Sequence, residues 1–148
     1  MASDFILATK AVNVSAAAVC ALLDGGWLCI YGGAKPATAD RSVSSQPCLA
    51  EIPLPQPAFG APVQGIVKAN KIGTAITDAA ARQATWFRAY TLDHVTPVFD
   101  GTVGLAKVAA GDETPEPSAF DFDLLLDRVV IGGGIQVEIV QLTYQAPK

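Results

Sequence analysis

The chain has 148 residues and a net charge of −4, with 16% of its residues charged and 51% hydrophobic. That length suits one domain, residues 1–148, able to bury roughly 70% of the surface its unfolded form exposes, while a mean hydropathy of +0.35 leaves apolar surface over for a partner. An acidic chain whose Lys and Arg are scattered singly offers no basic field to a phosphate backbone, so direct nucleic-acid binding is not expected, and no apolar run approaches the ~20 residues of a membrane span.

Met1-Ala2-Ser3-Asp4 lacks the basic region of a secretory signal, so synthesis in the cytoplasm is expected. From Thr9 to Leu23 apolar residues recur at Val12, Ala16, Val19 and Leu23, in steps of three and four, before Asp24-Gly25-Gly26. This spacing predicts one amphipathic helix, within residues 9–24. Trp27-Leu28-Cys29-Ile30-Tyr31, closed by Gly32-Gly33, reads as a buried strand that opens a β region over 27–144. Ala34 to Pro47 has no periodicity and is expected as a surface loop. Leu49 to Leu54 predicts an edge strand, because Pro53, Pro55 and Pro57 remove ladder donors and blunt that edge.

Further strands are expected at Gly65 to Ile72, Ala84 to Thr91, Thr96 to Asp100, Thr102 to Val108, Phe120 to Leu126 and Ile135 to Tyr144. A hairpin is placed around Asp93-His94, a tight turn at Asp100-Gly101, and turns with positive φ at the glycine clusters, including Gly132 to Gly134. Roughly seven or eight short strands with turn signals about every ten residues argue for a mainly β fold, a β-sandwich or jelly roll with one N-terminal α-helix. The candidate core residues are Trp27, Ile30, Trp86, Phe87, Phe99 and Ile139, and the candidate interface residues are Pro36, Arg41, Pro53, Pro55, Pro57 and Arg88. Trp86 and Phe87 face opposite sides of one strand, which favours core packing over a sugar-binding platform.

Cys20, Cys29 and Cys48 are odd in number and widely spaced, which fits neither a disulfide framework nor the paired spacing of a zinc site. They are expected as reduced, buried small hydrophobes. His94, the one histidine, sits beside Asp93 at a predicted turn with no Ser or Cys motif around it, so neither a catalytic triad nor a His-rich metal site is expected. The glycine clusters lack the spacing of a phosphate-binding loop or a dinucleotide fingerprint, and no cofactor is implied. Asp112, Glu113, Glu116, Asp121, Asp123 and Asp127 lie in a stretch without a basic residue. Their spacing is not that of an EF-hand, and a solvated acidic rim is expected rather than a calcium site.

Three segments carry a family resemblance: Trp27 to Asp40, with its Ile30-Tyr31-Gly32 turn and Pro36-Ala37 loop; Ala84-Thr85-Trp86-Phe87-Arg88-Ala89-Tyr90; and Val98-Phe99-Asp100-Gly101-Thr102-Val103-Gly104. In this order they resemble small structural proteins of tailed-phage particles, encoded in virion-morphogenesis regions. The resemblance runs from the helix to about Tyr144, and the stretch Ala109 to Ser118 departs from it in length and charge. It implies a β scaffold with no catalytic residues, resident in the virion. The role expected is a head decoration or cement protein, homo-oligomeric, bound to the major capsid protein or other virion proteins. A neck, tail or baseplate component is the alternative, and a carbohydrate- or host-binding module the reading from another class.

Overall fold

The structure, a computed structural model, describes residues 7–77, 80–106 and 123–146. Among these residues it is mainly β with one helix, as expected. The helix α1 is Thr9–Ala21, and its buried stripe is Val12, Ala16 and Cys20, with Leu23 buried just beyond its end. Val19, expected on that stripe, is half-buried, and Cys20 takes its place one residue on. Among the helix's neighbours are the strands β3 (Ile66–Lys68) and β10 (Gln136–Gln145). Asn13 Oδ1 accepts a hydrogen bond from the Gly65 amide at 2.8 Å, fastening the helix to the start of β3.

The other strands in chain order are β1 (Trp27–Tyr31), β2 (Cys48–Pro53), β4 (Thr74–Ile76), β5 (Arg82–Gln83), β6 (Trp86–Tyr90), β7 (Pro97–Leu105), β8 (Leu124–Leu126) and β9 (Val130–Ile131). Eight of the ten described strands, β3 and β10 included, form one curled sheet in the order β2-β1-β6-β7-β8-β10-β3, with β4 also paired to β10. Its pairs are antiparallel except β7–β8, which is parallel. β5 and β9 make a separate ribbon. The proline-bearing β2 lies at the end of this order, at the edge its composition predicts.

Because side chains alternate along a strand, cross-strand register sorts them into two faces. Toward the core the rows are Ala50–Ile30–Phe87–Gly101 and Ile52–Leu28–Ala89–Phe99, read from β2 through β7. Ile30 and Phe87 have no exposed surface, and Ile139 is buried from the β10 side, as the sequence predicts. Phe99 is only half-buried: it packs against the core, edge-on to Phe87 at 6.1 Å and stacked on Tyr144 at 5.0 Å. Trp27, expected in the core, is half-buried on the other face.

Two expectations fail at Asp100-Gly101. The residues expected as two strands with a tight turn between them form the single strand β7, and the expected Val108 end lies outside the described residues. The hairpin turn is at Asp93-His94, as predicted, joining β6 to β7. Gly101 is needed for closeness rather than for a turn, since a Cβ there would fall 2.5 Å from two ring carbons of Phe87 and 2.8 Å from Asp123 Oδ2. Gly132 to Gly134 do adopt positive φ, between β9 and β10. The expected strand over Gly65 to Ile72 forms as β3 only near its start, at Ile66–Lys68.

Gly101→Ala should therefore cost about 1–3 kcal/mol by overpacking, measured by urea denaturation. Adding Phe87→Leu should recover part of that loss relative to the sum of the single changes, because the clash is between these two positions.

Candidate functional site

The outer face of the same four strands carries the polar chemistry. Register lines up Glu51 (β2), Cys29 (β1), Arg88 (β6) and Asp100 (β7) in one row: acid, thiol, base, acid. Trp27 and Tyr90 pair in the row on one side, and Tyr31 and Trp86 in the row on the other.

Arg88 and Asp100 form a two-pronged ion pair, Nε to Oδ1 at 2.6 Å and a terminal N–H to Oδ2 at 2.9 Å, with side chains only 3% and 5% exposed. The remaining guanidinium donors reach loop carbonyls, Arg41 O at 2.8 Å and Thr38 O at 3.4 Å. The cation also lies 5.5 Å from the centre of the Trp86 ring. Trp86 stacks on Tyr31 at 4.5 Å and donates its indole N–H to Gly32 O at 3.2 Å. Cys29, Tyr31 and Trp86 thus form a second small core, with Val43 of the loop packed onto it.

This arrangement corrects two interface assignments. Arg88 is buried and spends its donors within the chain, and Pro36 is buried too. Arg41, Pro53 and Pro57 are exposed, and Pro55 is half-buried with its carbonyl accepting from the Gly25 amide at 3.1 Å.

At the Glu51 end of the row stands a cluster that sequence spacing does not reveal. His94 Nε2 lies 3.7 Å from Cys29 Sγ and 3.5 Å from Glu51 Oε1. The imidazole is fixed by stacking on Trp27, centroids 4.4 Å apart and planes within 7°, and by the edge of Tyr90 at 6.0 Å. Trp27 is therefore half-buried because it serves as the floor for His94. The turn beneath the ring is braced by Asp93, whose carboxylate accepts from Thr91 Oγ1, Val95 N, Thr96 N and Thr96 Oγ1 at 2.6–2.9 Å. His94 itself has φ +65°, a conformation that few non-glycine residues adopt.

The hydroxyl and amide of Thr96, then the Thr91 hydroxyl and the Val95 amide, hold the Asp93 carboxyl well below its ordinary value of 3.8. Burial pushes the Cys29 thiol up to about 12, assisted by negative charge on Cys48 and Glu51. Cys20 is likewise raised to about 12 by burial and by Asp24. All three cysteines are free; Cys20 and Cys29 are buried as expected, whereas Cys48 is exposed, at the start of the edge strand.

Most of the acidic stretch, Asp121 included, lies outside the described residues. Of its described members, Asp123 Oδ2 accepts from the Thr102 amide at 3.0 Å, and Asp127 Oδ1 accepts from the Glu138 amide at 2.8 Å. Both carboxylates act as strand fasteners. Among the described residues no helix is long and apolar enough to cross a membrane.

Three measurements test this site. Asp100→Ala leaves the Arg88 charge buried without its partner and should cost about 3–5 kcal/mol in chemical denaturation, with part of the loss recovered when Arg88→Met is added. The folded pKa of Asp93 lies below its unfolded one, so its contribution is complete above the unfolded value and is lost as pH falls through the folded value. Amide protection at Val95 and Thr96 should accordingly persist below pH 3.8 and be lost only in stronger acid, and Asp93→Ala should abolish it at neutral pH. A polar disulfide reagent should modify Cys48 alone in the folded, metal-free protein and all three thiols after denaturation.

Comparison with protein-family models, with curated proteins and with solved structures gave no match to this chain, so the chemistry of the site rests on its geometry.

Proposed function

We propose that this chain is a non-enzymatic structural protein of a tailed-phage particle, a decoration or cement protein that binds major capsid subunits as a homo-oligomer. One observation carries the reading. The three segments that bear the resemblance, far apart in sequence, supply the adjacent strands β1, β6 and β7, and the loop after β1 is tied over them by Arg88. The three segments therefore belong to one physical unit, which supports reading them together. Their residues do scaffold chemistry: stacking, a buried ion pair and a close approach at glycine.

The β6–β7 turn suits a role in docking. Leu92 is 71% and Val95 74% exposed, on either side of the braced Asp93-His94 pair. Apolar side chains on a turn already held in shape lose little further entropy on binding, which favours association with a neighbouring subunit. Repetition over a symmetric shell multiplies a modest gain per copy.

Phage particles lacking this protein should assemble but release DNA at a lower temperature than complete ones. A cryo-EM map of the complete particle should place on the order of hundreds of copies on the head. Leu92→Asp with Val95→Asp should leave a folded protein that no longer adds to depleted particles. Depleted particles with full heads of unchanged heat resistance but no tails would replace this reading with a neck or tail role.

A further inference from the structure

We propose that Cys29 Sγ, Glu51 Oε1 and His94 Nε2 form a binding site for a borderline divalent transition ion, with zinc(II) the best match and water in the fourth position. This inference goes beyond the virion reading and does not depend on it.

The geometry comes first. All three ligand atoms lie within 4.8 Å of one another, and two of the separations are 3.7 and 3.5 Å. Zinc bonds of ~2.3 Å to sulfur and ~2.0–2.2 Å to nitrogen and oxygen put tetrahedral ligand atoms roughly 3.3–3.6 Å apart. Small adjustments by the exposed Glu51 side chain complete the triangle around such an ion. A donor set of one sulfur, one imidazole nitrogen and one carboxylate oxygen selects zinc-like ions over calcium or magnesium, which take oxygen alone.

Support around the ligands points the same way. Cys29 and Glu51 are directly opposed on the paired strands β1 and β2, and His94 arrives from the β6–β7 turn, so three separate elements converge. The left-handed backbone of His94 and its stacking on Trp27 hold Nε2 toward the other two atoms. Non-glycine residues in that conformation cost energy and cluster at functional sites. Electrostatics adds a reason: Cys29 is opposed by Arg88 in its row, but that cation is committed to Asp100. A bound dication would supply the positive charge needed to ionise the buried thiol, which releases its proton on binding.

A nucleophilic Cys–His–Glu triad is the competing chemistry, and the geometry argues against it. A triad divides the two imidazole nitrogens between thiol and carboxylate, whereas here both partners approach Nε2. Cys29 is also only 1% exposed, which suits an ion ligand better than a nucleophile that must meet a substrate. An ion held here would join the β6–β7 turn to β1 and the edge strand β2.

The test uses the full-length protein freed of metal and titrated with Zn²⁺ against a chromogenic chelator, and separately with Co²⁺. One ion per chain should bind, the thermal midpoint should rise, and the cobalt form should show a thiolate-to-metal charge-transfer band with tetrahedral visible bands. Calcium and magnesium should leave the midpoint unchanged. His94→Gln and Glu51→Gln should each weaken zinc binding by about tenfold or more, Cys29→Ser should remove the charge-transfer band, and Cys20→Ala should keep it. A band that survives in folded Cys29→Ser places the ion elsewhere and overturns the site. If that variant does not fold, His94→Gln decides, and zinc binding unchanged by it is equally fatal to the proposal.

Discussion

The buried pair of Arg88 and Asp100 is the constraint on which the outer half of the molecule depends. A guanidinium taken out of water must have its charge matched and its donors filled, and here one carboxylate and two loop carbonyls do both. Meeting that demand fixes the β6–β7 register and draws the segment after β1 down over the sheet. The second core of Cys29, Tyr31 and Trp86 is a consequence, because that cover keeps water from their face. Such a pair adds little net stability over an apolar one, but it penalises every arrangement in which the loop is elsewhere.

The two faces of the sheet solve different problems with the same strands. Inward, volume decides: Phe87 occupies the space that Gly101 leaves free, so one residue's size is set by its cross-strand neighbour's lack of a side chain. Outward, charge and ring stacking decide, and Trp27 is positioned by His94 rather than by the core. Hydrophobicity alone does not distinguish these cases, which is why Trp27 and Trp86 read alike in the sequence yet end in different surroundings.

What was legible in the sequence was local. The helix, the Trp27–Tyr31 and Trp86–Tyr90 strands, the proline-marked edge and the turn at Asp93-His94 follow from periodicity and turn chemistry acting over a few residues. Asp100-Gly101 misled because a turn dipeptide and a close-packed strand glycine have the same letters. The metal-ligand cluster was illegible for a related reason. Its members are 22 and 43 residues apart along the chain, going from Cys29 to Glu51 to His94, and only strand register unites them. Arg88 reads in the sequence as an interface residue able to bridge to an acid on a neighbouring strand or subunit, and only the register shows that the acid is Asp100, directly across from it. The one hint available was an isolated histidine following Asp93 in a turn, a position where glycine or asparagine is the ordinary occupant.

The place of β1 between β2 and β6 bears on the order in which the molecule can be made. As the chain leaves the ribosome, β1 can pair at once with β2, but its other edge must wait until β6 and its partner β7 have been synthesised. During that interval an apolar strand stands with one side open, and pairings so distant in sequence close slowly. Pro53 and Pro55 lie at the end of the one ladder already formed, where they discourage a second nascent chain from adding a strand. The prolines that look like a feature of the finished surface thus also blunt the β2 side of the β1–β2 pair while it is alone, leaving the open edge of β1 to be closed by β6.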